Sequence, residues 1–420
     1  MNHLPTPTTP LSQLLHPLLS TPLPTPPTIP PPLPLTPHLS LSPLLTTQST
    51  LLSTSLLHLL FRTHLAAHLR LQFSYHLLGS PHFRTALTSA LFNPDLPSTE
   101  RHPGAPRIGD KLGLKLASRG EKTWPPASSE LRLALMGILG DSYLASSPPL
   151  KGPPNLIHHL SFSIRTLPPT TIPLVLDPST LYALDFLRLE YRAPPPIDAV
   201  LTPGALERYD EVFQFLVRLV RVGYVVERVP WREGVGLMRW KARWFVGVCI
   251  GHFCGDVVRG GWDAFEGFLG AVEKRLADEE QTCGEGDDFG DGLGHVGVET
   301  VHDRHEQFLE SVLFGCLLRK RQQQARERLE SLLSYVLQFA ELCCEDNNGT
   351  ESDDSTANRT SMTVDALHRR FSEGLREFME LLRGMVGRRR RVGRGGDGAE
   401  KVEDESAERL LVRLESEGVL

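Results

Sequence analysis

The sequence predicts an all-α protein: non-repeating helical bundles with at most a few short extended segments. Two observations carry this. Over most of residues 62–386 the apolar side chains recur every three or four positions, the period of a helix with one buried face. A strand's alternation stands out in one short run, 187–192, and no internal repeat is present. Acidic tracts rich in Gly or Ser at 277–297 and 344–361 separate the later helical blocks, and their low hydrophobicity and high charge predict disordered insertions.

The chain is punctuated from its start. No charged side chain precedes Arg62, and 14 of the 34 prolines lie in the first 50 residues. Each proline removes a backbone donor and fixes φ, so 1–61 is read as a low-complexity segment, extended or disordered. The other reading of it is a Pro-rich ligand. The Gly-rich, basic stretch 97–126 is expected to form a loop. In 187–192, Leu187, Leu189 and Tyr191 point one way and Arg188, Glu190 and Arg192 the other, an extended piece with one buried face. Pro194, Pro195 and Pro196 end it. Thr202 then caps a helix that has Pro203 at its first position. Leu206, Tyr209, Phe213, Leu216, Val220 and Tyr224 form its apolar stripe, which predicts a buried-faced helix over 206–228. Val301, His305, Phe308, Val312 and Cys316 share a face in the same way, predicting a helix over 301–318. After 386 a tail is expected, basic at Arg388–Arg391 and Arg394, then acidic.

Composition bounds the function. A chain of 420 residues, 40% hydrophobic and 22% charged, has the makeup of an ordinary soluble protein. A net charge of −6 gives no field that would favour nucleic acid or an anionic membrane. Six cysteines without a secretion signal fit free thiols in a reducing compartment. No uninterrupted apolar run reaches the roughly 18 residues of a membrane span; the nearest, 244–258, holds His252 and Asp256.

The chemical candidates fail on ligand number or context, so no metal and no cofactor is expected. His302 and Glu306 share a helix face but lack a third ligand. Cys249, His252 and Cys254 are close in sequence, yet a helix turns Cys254 away from the other two. The run Asp287-Asp288-Phe289-Gly290-Asp291-Gly292 has Phe289 and Val298 where a calcium loop needs oxygen ligands. Gly234-x-Gly236 lacks the third glycine of a dinucleotide fingerprint. No nucleophile elbow or phosphate loop is present, and the chain is read as a binding protein and not an enzyme.

The region from Leu189 onward resembles the signature of the γ-tubulin complex component family. Leu189, Tyr191, Pro194, Pro196 and Ile197 match its Leu-x-Tyr-x-x-Pro-x-Pro-Leu/Ile element. Leu201-Thr202-Pro203 follows, and then a helix with Tyr209, Val212-Phe213, Phe215-Leu216, Arg218-Leu219 and Arg221. Pro195 stands where many members carry an aromatic. Further matches are Tyr75, Leu77, Leu78, Gly79 and Phe83; Trp262 with Phe265; and His305, Phe308-Leu309, Val312-Leu313 and Cys316-Leu317-Leu318. The resemblance covers most of 63–386 and is weaker over 371–385. It implies a helical C-terminal domain that holds γ-tubulin, other γ-tubulin complex components as partners, no nucleic acid, and a place at cytoplasmic microtubule-organising centres such as the spindle pole body. Where such a protein carries a whole helical domain, this chain has its low-complexity start, which implies a truncated or diverged form, or a fragment. The acidic insertions and the Ala-Pro-Pro-Pro corner suggest a fungal, sixth-component-like subtype. A helical scaffold with other partners and a diverged hydrolase stay open as alternatives.

On the capped helix, Arg218, Arg221 and Arg228 fall within about 80° of one another, off the apolar stripe. They read either as a solvated face or, given the resemblance, as rim contacts to acidic γ-tubulin.

Overall fold

A computed structural model describes residues 36–93, 96, 128–145, 156–231, 235–281, 297–348, 354–391 and 398–416, and almost every element in them is a helix. The all-α class holds. Residues 1–35, the expected loop 97–126 and the centres of both acidic tracts, 282–296 and 349–353, lie outside the described residues. The chain divides into two units, Met1–Ser55 and Leu56–Leu420.

Helix α1 (Thr36–Arg62) is a correction: it occupies the second half of the segment expected to be extended or disordered. The prolines thin out there. Pro37 sits in the first turn, where a missing N–H costs little, and within α1 no proline follows Pro43. The threonines, poor helix formers, turn their hydroxyls onto the preceding turn, as in Thr50 Oγ1 to Thr47 O at 2.8 Å and Thr54 Oγ1 to Thr50 O at 3.0 Å. Leu57 and Leu60, in the second unit, are buried.

In that unit α2 (Leu65–Tyr75), α3 (Pro81–Phe92) and α4 (Ser128–Ala145) lead to strand β1 (Leu160–Ile164), short helix α5 (Ile172–Leu176) and strand β2 (Leu187–Tyr191). Ser80 caps α3 by accepting from Phe83 N. The strands pair antiparallel, Leu160 opposite Tyr191 and Ile164 opposite Leu187. Leu187, Leu189 and Tyr191 are buried and the residues between them only partly so, as the alternation predicts.

Helix α6 (Pro203–Arg228) is the hub. Thr202 Oγ1 accepts from Ala205 N at 3.2 Å, the expected cap. Tyr209, Val212, Phe213, Leu216, Leu219 and Val222 have no exposed surface. Around α6 pack α3, β2, α7 (Gly236–Ile250), α9 (Val298–Gly315) and α10 (Gln323–Asn348). From Gly236 to Gln281 the backbone is one unbroken helical run: α7 passes through a nine-residue π-helical segment, Gly251–Arg259, into α8 (Gly260–Gln281). No proline interrupts 236–281, so nothing forces a turn. Where α9 crosses the π segment, Gly315 makes the close approach possible, because a Cβ there would lie 2.5 Å from Val257 Cγ1.

Helix α11 (Asp354–Arg391) lies along α10, and its backbone stays helical through Arg388–Arg391. Helix α12 (Gly398–Ser416) then packs on α7, α9, α11 and the π segment, burying Ala407, Leu410, Leu411 and Leu414. A tail was expected here. Its acidic composition hid a leucine stripe at 410, 411 and 414 that is long enough for one face.

Candidate functional site

The strap, the paired strands with the loop 165–186 between them, is fastened to the helices by buried polar groups. His76 Nε2 donates to Leu189 O at 2.8 Å, and His68 Nδ1 shares a hydrogen bond with Tyr191 Oη at 2.5 Å. Asp210 of α6 takes Arg165, directly after β1, at 2.6 Å and Arg188 of β2 at 3.4 Å. At the other face of α6, Tyr209 Oη and His305 Nε2 of α9 share a hydrogen bond of 2.9 Å.

The three arginines singled out from the sequence part company in the structure. Arg218 is buried and grips Asp185 in a fork, Nε to Oδ1 at 2.8 Å and Nη2 to Oδ2 at 2.5 Å, while Nη1 reaches Glu330 of α10 at 2.8 Å. Its guanidinium lies 4.6 Å from the Tyr182 ring, and Tyr182 Oη donates to Glu330 at 3.0 Å. Arg221, also buried, donates to the carbonyls of Thr180 and Pro178. These two side chains therefore do not form a solvated face: they sew the strap loop onto α6 and α10. Arg228 is exposed at the end of α6, stacked 4.0 Å over Tyr224.

Electrostatics follow from this geometry. Burial works against the charge on Arg218, and the hydrogen bonds and charge of Asp185, with Glu330, outweigh it and raise its pKa. Arg221 faces mostly neutral carbonyls, so burial dominates and lowers its pKa to about 10, partly offset by Asp177, Asp185 and Glu341. Burial also drives down the histidines: His305 to about 3, and His76, His68 and His252 each to about 4.

Asp185 and Glu330, the acids that complete the network, were not singled out from the sequence. The available signal was one carboxylate inside the apolar run LYALDFL, since a buried acid demands a cation.

The remaining candidates have structural work. Glu306 pairs with Arg208. His305 is fully buried, as the helix pattern implied. Cys249 and His252 are buried and Cys254 is partly buried, and His252 sits 3.7 Å from Asp256 and 3.4 Å from Ser406 Oγ. Among the described residues no three metal-ligating side chains converge, and no helix is long and apolar enough to cross a membrane.

The sequence matches the family model described as "Gamma tubulin complex component C-terminal" over residues 65–419. It is also similar to γ-tubulin complex component 6 of Mus musculus, with 23% identity over 198 residues, covering 43% of this chain and 10% of that protein. The chain thus matches about a tenth of the length of that curated relative. With the family model spanning the strap, its polar anchors and every helix from α2 to α12, the chain belongs to the γ-tubulin complex component family.

Proposed function

We propose that the chain is a γ-tubulin-binding component of a γ-tubulin complex, acting by binding and not by catalysis, and supporting microtubule nucleation at a cytoplasmic microtubule-organising centre such as the spindle pole body. The observation that carries this is the family match over 65–419, which takes in the whole strap-and-helix assembly. The energetic logic is association entropy. Subunits that hold several γ-tubulins side by side relieve each incoming tubulin of part of the ordering cost. Helices gathered round α6 as a hub, and not as a stack of equivalent pairs, favour this over a repeat scaffold. Within the family, the sixth-component-like subtype remains our reading.

In this proposal Arg228 meets the acidic partner at the rim, and Arg218 and Arg221 contribute by holding the strap in shape. Purified protein should bind γ-tubulin in surface-immobilised kinetics. Arg228→Ala should slow association and flatten its salt dependence with helicity intact, because rim charges act mainly on encounter. Absence of γ-tubulin binding by folded wild-type protein would overturn the function. An unchanged on-rate at low salt would remove Arg228 from the contact.

A further inference from the structure

Helix α7 buries Met238, Ala242, Phe245, Val246 and Cys249. Its opposite face should therefore be polar, and it is not. Trp240 lies about 180° round the helix from Cys249 and is 53% exposed; Leu237 beside it is 59% exposed. Trp231, 71% exposed, folds back onto the start of α7. A Cβ on Gly236 would sit 3.0 Å from the Trp231 indole, so glycine there lets the ring lie on the helix one turn before Trp240. Two solvent-facing tryptophans and a leucine thus share one patch. Exposed apolar clusters of this kind mark contact sites.

Cations surround it. Arg228, Arg239, Lys241 and Arg243 stand against Glu227, the single acid among the described residues of 224–244. None of the four is in an ion pair with another described residue. Arg239 is turned onto the patch, its guanidinium 5.9 Å from the Trp231 ring centre and its Nε donating to Val229 O at 2.9 Å. On the α7 flank shared by Arg239, Arg243 and Ile250, which a helical wheel places within about 40°, a groove of about 390 Å³ opens between α3 and α6. Asn93, Gly223, Tyr224, Arg228 and Ile250 line it.

We propose that this face of α7 is a docking surface for an acidic segment of a protein partner: apolar side chains of the segment cover Trp231, Leu237 and Trp240, and its carboxylates meet Arg239 and Arg243. Tryptophan and arginine are the residues that dominate protein interfaces, and the charge excess selects an acidic occupant. The chain's overall charge of −6 opposes a polyanion or an anionic bilayer, which would meet the whole molecule's field. The proposal goes beyond γ-tubulin binding and stands without it, and Arg228 is left unaltered in its test.

The probe is a short fluorescein-labelled peptide of glutamates alternating with leucines, titrated against the full chain by anisotropy. A glutamine-for-glutamate peptide, single-stranded DNA and phosphatidylserine vesicles run in parallel. The acidic peptide should bind saturably and weaken as salt rises. Trp231→Ala with Trp240→Ala should weaken it by about tenfold or more, and Arg243→Glu should weaken it severalfold and flatten the salt dependence. All three sites are exposed, so circular dichroism should be unchanged. The proposal is overturned if the glutamine peptide binds as tightly, if the variants bind like wild type, or if DNA or vesicles bind and the peptide does not.

Discussion

Replacing Arg218 by Met tests whether the strap is held by buried charge. The guanidinium is 7% exposed and its partners Asp185 and Glu330 are 6% and 13% exposed. The methionine fills much of the stem's volume, so the loss falls on the fork. Asp185 is left buried with both oxygens stripped of their donors, whereas Glu330 keeps Arg326 at 3.1 Å. Removing one partner of a buried pair costs about 3–5 kcal/mol, a large share of the roughly 5–15 kcal/mol that holds a domain together. The internal control is Arg383→Met. That side chain meets Glu415 at 2.8 Å, but the two are 50% and 42% exposed, and such pairs contribute about 0–1 kcal/mol. Urea unfolding followed by circular dichroism should show a much lower midpoint for Arg218→Met than for Arg383→Met. Adding Asp185→Leu to Arg218→Met should recover stability, because no orphaned carboxylate remains. Equal midpoints for the two single variants would refute the reasoning.

Three further outcomes follow from the same packing. His305, His76, His68 and His252 all titrate below their ordinary 6.5 because burial disfavours the cation. The unfolded chain therefore binds more protons between about pH 6.5 and 4, and stability, full above 6.5, should fall by up to about 1.4 kcal/mol per pH unit for each histidine as the solution is acidified through that window. A urea midpoint that stays flat down to about pH 5 would contradict it. Truncation after residue 397 removes Leu410, Leu411 and Leu414 from the core together with the Arg413–Asp256 pair at 2.8 Å; at about 1.5–3 kcal/mol per buried leucine the shortened protein should lose about 5 kcal/mol or more, where removal of a solvated tail would cost nothing. Gly315→Ala brings a methyl against Val257 and should cost about 1–3 kcal/mol by overpacking, read as a lowered melting temperature.

What the sequence made legible was periodicity and capping. The strand Leu187–Tyr191, the cap at Thr202, the buried stripe of α6 and the burial of His305 all express local patterns that recur within a few residues. Two helix ends escaped for an equally local reason. Leu78 and Leu317 take left-handed φ values of 52° and 60° after α2 and α9, a place where glycine is the usual signal. Their buried side chains hold them there against the backbone preference. Helices α1 and α12 were missed because composition, proline in one and acid in the other, masked short leucine stripes.

The arginine face of α6 shows why helix position alone does not give a side chain its role. A helical wheel puts Arg218, Arg221 and Arg228 on one side, and that much is right. What it cannot supply is the loop that returns over the first two. Residues 177–185, in the connection between the two strands, carry Asp185 and the carbonyls of Pro178 and Thr180. Arg228 lies about two turns beyond Arg221 and receives no such cover. The consequence for binding is specific. A surface held by a charge fork on one side and by His76 and Asp210 on the other is ordered before a partner arrives. The strap then need not be ordered on association, which leaves more of the contact energy for affinity. On the proposed function, loosening Arg218 should for that reason weaken a partner's grip through the off-rate, whereas Arg228→Ala should act through the on-rate.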